Sequence, residues 1–74
     1  MMSILEILSN VRDDVDFTAS DNFIDDGLLD SFDIVTLVEE IEEQFGIEMK
    51  GSDIVPENFV SVETIEKLVE AYQK

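Results

Sequence analysis

The 74-residue sequence contains no cysteine and no histidine. Disulfide bonds, thiolate nucleophiles, the usual zinc sites and every Ser–His or Cys–His catalytic pair are therefore excluded. No run of apolar residues is longer than two, so we expect neither a signal peptide nor a membrane-spanning segment. These absences predict a soluble protein of the cytoplasm that is not an enzyme.

Basic residues are scarce: Arg12 and three lysines stand against 19 acidic residues, which gives a net charge of −15. Residues 13–49 contain 13 acidic side chains and no basic one. Such a surface repels phosphate backbones and anionic lipid headgroups, so we expect no binding to nucleic acid or to a membrane. It favours a protein partner with a basic patch, because opposite potentials steer the encounter.

The acidic residues do not form a calcium loop. When Gly27 is aligned with the invariant glycine of an EF-hand, Ile24 falls at a ligand position and Asp33 stands where the bidentate glutamate belongs. We therefore predict no defined metal site.

Apolar residues make up 45% of the sequence, and many recur at helical spacing. Ser3 and Glu6 form a capping box that predicts the start of a first helix, with Met2 and Ile7 at the positions of a hydrophobic staple. Aspartates at 13, 14 and 16 disfavour the negative end of a helix dipole, so this helix should end near them. Its apolar stripe comprises Ile4, Ile7, Leu8, Val11 and Val15.

The second predicted helix has the clearest boundaries. Asp30 is a good N-cap, Asp33 three residues later completes a weaker form of the capping box, and Gly46 suits the end of the helix. The apolar stripe of this helix comprises Ile34, Leu37, Val38, Ile41 and Phe45.

Two long connections separate the predicted helices. Residues 16–29 form the first, which carries a left-handed turn at Gly27; connections of this length usually have a function. The residues expected to anchor it to the core are Phe17, Phe23, Ile24, Leu28 and Leu29. The second spans residues 47–60 and includes a short helical turn that begins at Pro56.

A last helix begins after Ser61, which is its predicted N-cap. Its apolar stripe comprises Val62, Ile65, Leu68, Val69 and Tyr72. Because no segment has the pattern of a strand, the sequence predicts an all-α bundle of three main helices, plus a short helical turn before the last one.

Ser31 is the candidate site for chemistry. A serine at a helix start is ordinarily only a cap, but Asp30 already occupies that position. Ser31 is then the first helical residue, beside unpaired amides and the positive end of the helix dipole. An anionic group attached to its hydroxyl would be stabilised there.

The triplet Asp30-Ser31-Phe32, followed by an acidic amphipathic helix that ends at Gly46, resembles the acyl carrier proteins and the related peptidyl and aminoacyl carrier domains. The resemblance extends over residues 1–74 in length, helix order and charge, and implies a single carrier domain with the acyl-carrier fold. It implies that Ser31 receives a 4′-phosphopantetheine arm from coenzyme A through a phosphopantetheinyl transferase. The thiol of the arm then holds acyl or aminoacyl groups as thioesters.

The resemblance also implies the partners of a monomeric carrier. These are the transferase, an acyl- or amino-acid-activating ligase, and downstream synthase enzymes that present basic patches. The residues at the positions of the family's recognition surface are Asp30, Phe32, Asp33, Val35, Thr36, Glu39, Glu42 and Glu43.

The cargo stays open between a fatty-acid or polyketide intermediate and a D-alanyl, aminoacyl or nonribosomal-peptide-type one. Phe32 replaces a common leucine, Glu39 a common methionine and Thr36 a common acid of the fatty-acid carriers. The connection after the second helix is also longer, which favours a specialised or aminoacyl carrier. A more distant alternative is an acidic interaction module that never carries an arm.

Overall fold

A computed structural model describes residues 3–73 as three α-helices and three short 3₁₀-helices. The α-helices are α1 (Ile4–Val11), α2 (Ser31–Phe45) and α3 (Val62–Gln73), and the 3₁₀-helices are Phe17–Ala19, Gly51–Asp53 and Pro56–Phe59. No strand occurs in this range, which confirms the predicted all-α, acyl-carrier-like bundle with a helical turn before the last helix. Met2, the predicted staple partner of Ile7, lies outside the described residues.

Local capping fixes the helix starts, as predicted. The Ser3 hydroxyl accepts the Glu6 amide at 3.2 Å, and the Glu6 carboxylate accepts the Ser3 amide, which completes the capping box of α1. The Ser61 hydroxyl accepts the Thr64 amide at 3.1 Å and caps α3. Gly46 ends α2 with a φ of 65°, in the left-handed region that favours glycine.

The first helix is shorter than its apolar stripe. It ends at Val11 because Arg12 adopts an extended conformation, and Val15 contacts the core from the following loop instead. The helix thus ends before the aspartates that follow Arg12, as predicted from their unfavourable interaction with the negative end of a helix dipole.

One hydrophobic core joins the three helices and both connections. α1 runs antiparallel to α2, since Arg12 at its end contacts Asp33 at the start of α2, while Ser3 and Phe45 line the same cavity at the opposite end. The buried side chains are Ile4, Ile7, Leu8, Phe17, Phe23, Leu29, Ile34, Leu37, Val38, Ile41, Met49, Phe59, Ile65 and Val69.

The second connection is attached to the helices by polar side chains. The Glu42 carboxylate accepts the Met49 amide at 2.8 Å. The Tyr72 hydroxyl accepts the Lys50 amide at 2.9 Å and donates to the Asp53 carboxylate. These bonds fix the Gly51–Asp53 turn, which the sequence pattern did not predict.

Replacement of Tyr72 by phenylalanine is expected to lower the midpoint of urea unfolding at neutral pH. The hydrogen bond donated to Asp53 raises the pKa of the Tyr72 hydroxyl. Because the folded state holds this proton more tightly, its stabilising effect is complete below the ordinary tyrosine pKa of about 10 and is lost as pH rises through the higher folded value.

The difference between the midpoints of the wild type and Tyr72→Phe should therefore shrink as the pH rises through the raised pKa of folded Tyr72. Since Tyr72 is the single tyrosine of the chain, ultraviolet absorbance follows its ionisation directly. A difference in midpoint that does not change with pH would show that the hydroxyl proton contributes nothing to stability.

Candidate functional site

Ser31 lies at the exposed start of α2, in a first turn that Asp30 and Asp33 close. The Asp30 carboxylate accepts the Asp33 amide at 2.8 Å, and the Asp33 carboxylate accepts the Asp30 amide at 3.4 Å. Asp30 is thus the N-cap, as predicted, and Ser31 is the first helical residue. Within residues 3–73 the Ser31 hydroxyl makes no hydrogen bond. It is therefore available for chemistry beside the unpaired amides of the helix start.

The loop before Ser31 is organised around Phe23. The Phe23 carbonyl accepts the amides of Leu28 at 2.8 Å and Leu29 at 3.2 Å, and its amide donates to the Val60 carbonyl at 2.6 Å, just before α3. Its ring is fully buried and packs edge-on against Phe17, with centroids 5.0 Å apart. These contacts hold the entry to α2 against α3.

The predicted anchors of this loop are confirmed. Phe17, Phe23 and Leu29 are buried, while Ile24 and Leu28 are half-buried against the core. Gly27 has a φ of 73°, so the predicted left-handed turn is also confirmed, and a side chain at this position would strain the backbone.

Two aspartates of the loop, Asp25 and Asp26, form hydrogen bonds within it. The Asp26 carboxylate accepts from the Ser20 hydroxyl. The Asp25 carboxylate accepts the side-chain amide of Asn22 at 3.1 Å, and the Asn22 side chain accepts the Asp25 amide. These hydrogen bonds connect Ser20 and Asn22 to the two aspartates that precede Gly27.

Five of the predicted recognition residues share one exposed face of α2, which we term the outer face: Phe32, Val35, Thr36, Glu39 and Glu43. Their spacing places them on one side of the helix. Phe32 is 78% exposed and Val35 53%, so both apolar side chains face solvent near Ser31. Phe32 lies off the apolar stripe of α2, and its exposure excludes a place in the core. Asp30, at the cap, is also exposed.

The other two predicted recognition residues, Asp33 and Glu42, are half-buried and form hydrogen bonds within the protein. Asp33 closes the cap of α2 and accepts Arg12 Nη1 at 3.2 Å, and Glu42 accepts the Met49 amide. Sequence reasoning did not single out Arg12 for this site. The sequence feature that could have identified Arg12 is that it is the one basic residue before Lys50.

A cavity lined by residues of all three helices lies at the other end of the bundle. Its volume is about 290 Å³, and its apolar lining residues are Ile4, Phe45 and Val69. Ser31 and Phe45 lie at opposite ends of α2, about 21 Å apart along the axis. The cavity is thus remote from Ser31.

Within the described range, no group of three or more acidic side chains is placed to hold a metal ion. None of the helices formed by residues 3–73 has the length and hydrophobicity that a membrane span requires.

Comparison with known proteins gives two matches. The sequence model of the family described as "Phosphopantetheine attachment site" matches residues 3–71. Aminoacyl carrier protein 1 of Bradyrhizobium diazoefficiens is 43% identical over 54 residues, which is 73% of this chain. The matched segment is 59% of that protein, so the chain spans less than two thirds of its relative's length. No solved structure matches the chain.

The helical bundle and the family match agree, and the match covers nearly all described residues. The chain therefore belongs to the phosphopantetheine attachment family of acyl-carrier-like domains, whose cofactor is covalently bound 4′-phosphopantetheine.

Proposed function

We propose that Ser31 is the attachment residue and that residues 1–74 form one carrier domain, which carries acyl or aminoacyl groups as thioesters between enzymes. The observation that supports this most directly is the exposed Ser31 hydroxyl, free of hydrogen bonds within the described residues, at the first position of α2. Ser3, Ser20 and Ser61, in contrast, use their hydroxyls in helix caps and turns.

In the attachment step, the Ser31 oxygen bonds to the phosphorus of coenzyme A that bears the pantetheine. The phosphorus–oxygen bond to adenosine 3′,5′-bisphosphate breaks, and the hydroxyl proton passes to a base. This chain has no histidine, and the carboxylates of Asp30 and Asp33 are engaged in the cap, so the transferase supplies base and metal ion.

The start of α2 suits the product of this step. The phosphodiester formed at Ser31 carries a negative charge, which the amides and the dipole of α2 stabilise by about 0.3–1 kcal/mol. When attached, the arm supplies the reactive thiol that this cysteine-free chain lacks. The protein then acts as a cosubstrate of other enzymes and not as an enzyme.

We propose the outer face of α2 as the partner-recognition surface. Phe32 and Val35 give it an apolar centre, and Glu39 and Glu43 give it negative charge without a basic neighbour. A fitting partner has an apolar pocket flanked by arginine or lysine. The transferase, the activating ligase and the downstream synthases are the expected partners. Asp33 and Glu42 contribute to this surface indirectly, by holding the two ends of α2.

An aminoacyl cargo is favoured over a fatty-acyl or polyketide one. The 43% identity to a protein named aminoacyl carrier protein 1 supports it, together with the length of the second connection and the aromatic side chain of Phe32. The cytoplasmic location and the monomeric state stay predictions from the sequence.

The test is intact mass before and after incubation with coenzyme A, Mg²⁺ and a broad-specificity phosphopantetheinyl transferase. We expect one mass increment equal to the arm. No increment in a protein shown to be folded by circular dichroism would contradict the proposal and favour the unmodified acidic module. Incubation of the loaded protein with amino-acid- or fatty-acid-activating ligases then distinguishes the cargo by its mass.

Reversal of two charges on the outer face, Glu39→Lys with Glu43→Lys, is expected to slow modification by about tenfold at low salt, because steering toward a basic partner is lost. High salt should reduce the difference in modification rate between the wild type and this double variant, because it screens the charges. Glu42 is left unchanged, since its carboxylate holds the Met49 amide.

The matched control is Glu66→Lys with Glu70→Lys on α3. Both positions are exposed, have the same spacing and undergo the same change of charge, but lie on another helix. Initial modification rates from mass spectra provide the comparison. Equal slowing in both double variants would mean that net charge matters and the outer face does not.

A further inference from the structure

Arg12 joins the end of α1 to the start of α2. Its guanidinium donates from Nε and Nη2 to the two oxygens of the Asp14 carboxylate, both at 3.1 Å, and from Nη1 to Asp33 at 3.2 Å. The Asp14 contact is bidentate, which adds geometric specificity, and the hydrogen bond from Arg12 lowers the pKa of Asp14. Asp14 thus fixes the guanidinium from one side, while another nitrogen reaches across to α2.

The Asp33 oxygen that accepts Arg12 also accepts the Asp30 amide. The same side chain therefore links α1 to the backbone one residue before Ser31. The Asp33 side chain is 16% exposed, so little water is available to replace either partner. Through this oxygen, Arg12 determines the orientation of the side chain that closes the first turn of α2.

The charges around Arg12 also indicate that it holds the Asp33 side chain in place. Arg12 is the one cation among residues 3–49, so its loss would leave the Asp14 and Asp33 carboxylates without a counter-charge. Both would still lie around the space that the guanidinium had filled, where like charges repel. Asp33 would then turn toward water and release the Asp30 amide, which loosens the turn that carries Ser31.

We propose that Arg12 is a positioning residue for modification of Ser31, acting through Asp33 on the capped start of α2. This inference rests on the proposed attachment at Ser31. A hydroxyl on a loosened turn reaches the reactive geometry less often, whereas the outer face that binds the transferase stays in place. Loss of Arg12 therefore lowers kcat with little change in KM.

The experiment compares Arg12→Gln, Arg12→Lys and Lys67→Gln as substrates of the transferase, with coenzyme A and Mg²⁺. Lys67→Gln is the matched control: it removes one positive charge and one ion pair, here with Glu63 on α3. All variants are shown by circular dichroism to be folded at the assay temperature, and initial rates are measured by intact mass.

We expect Arg12→Gln to lower kcat by about tenfold, because the charged hydrogen bond from Arg12 to Asp33 is lost together with the two bonds to Asp14. Lys67→Gln should change kcat less than twofold. Arg12→Lys should recover part of kcat, because lysine keeps the positive charge but lacks the several donors of the planar guanidinium. Should Arg12→Gln fail to fold, a rate for Arg12→Lys below that of the wild type and of Lys67→Gln supports the inference.

Two different results would overturn the positioning role of Arg12. In the first, the wild type is loaded, and the arginine variants are loaded at the wild-type rate or lose no more of that rate than Lys67→Gln does. Arg12 then has no positioning role, and Ser31 remains the attachment residue. If the wild type is not loaded, the proposed function fails and this inference fails with it. A rise in KM alone would place Arg12 in partner binding and reject positioning.

Discussion

Replacement of Ser31 by alanine is expected to abolish attachment of the phosphopantetheine arm, and with it all cargo loading, while the fold is kept. The hydroxyl is exposed and makes no hydrogen bond within the described part of the chain, so its removal breaks no observed contact. Asp30 retains the cap, and alanine has high helix propensity. The free energy of unfolding should change by no more than about 0.5 kcal/mol.

Intact mass after incubation with coenzyme A and the transferase gives the first readout, and thermal unfolding followed by circular dichroism gives the second. Ser9→Ala is the control, since Ser9 is also exposed and lies in a helix. It should gain the arm as the wild type does. A mass increment in Ser31→Ala would assign attachment to another hydroxyl. A large loss of stability would show that Ser31 supports the fold.

Phe23→Ala is expected to destabilise the protein by about 3–5 kcal/mol, the usual result of removing a buried phenylalanine ring. Phe23 is fully buried and packs edge-on against Phe17. It lies where the loop before Ser31 meets the residues just before α3. For a chain of this length, total stability is about 4–11 kcal/mol, so the loss is a large share of it. The entry to α2 should become disordered first.

Phe32→Ala is the matched control, because it makes the same chemical change at an exposed position 78% open to solvent. Its free energy of unfolding should change by no more than about 0.5 kcal/mol. Urea unfolding followed by far-ultraviolet circular dichroism measures both variants. If Phe23→Ala does not fold, Phe23→Leu should still fold with a loss of about 1.5 kcal/mol or less. Equal stabilities of the two alanine variants would contradict the role given to the Phe23 ring.

Features that depend on residues close together in the chain follow from the sequence alone. The capping boxes of Ser3 with Glu6 and of Asp30 with Asp33 join residues three apart, so their pattern could be read directly. Gly27 and Gly46 mark positive φ angles for a local reason as well, since other residues rarely adopt that conformation. The capping box of Asp30 with Asp33 places Ser31 at the first position of α2.

Contacts between groups that are far apart in the chain follow from the packing of the helices and not from the sequence pattern. Arg12 and Asp33 are 21 residues apart and Asp53 and Tyr72 are 19 apart, and their contacts depend on how the helices pack. Helical spacing places Phe32 off the apolar stripe of α2, and the packing of the helices sets how far its ring is exposed. The carboxylates of Asp33 and Glu42 look like any others in an acidic sequence. In the folded protein both are half-buried, and each has a specific partner: the Arg12 guanidinium for Asp33 and the Met49 amide for Glu42.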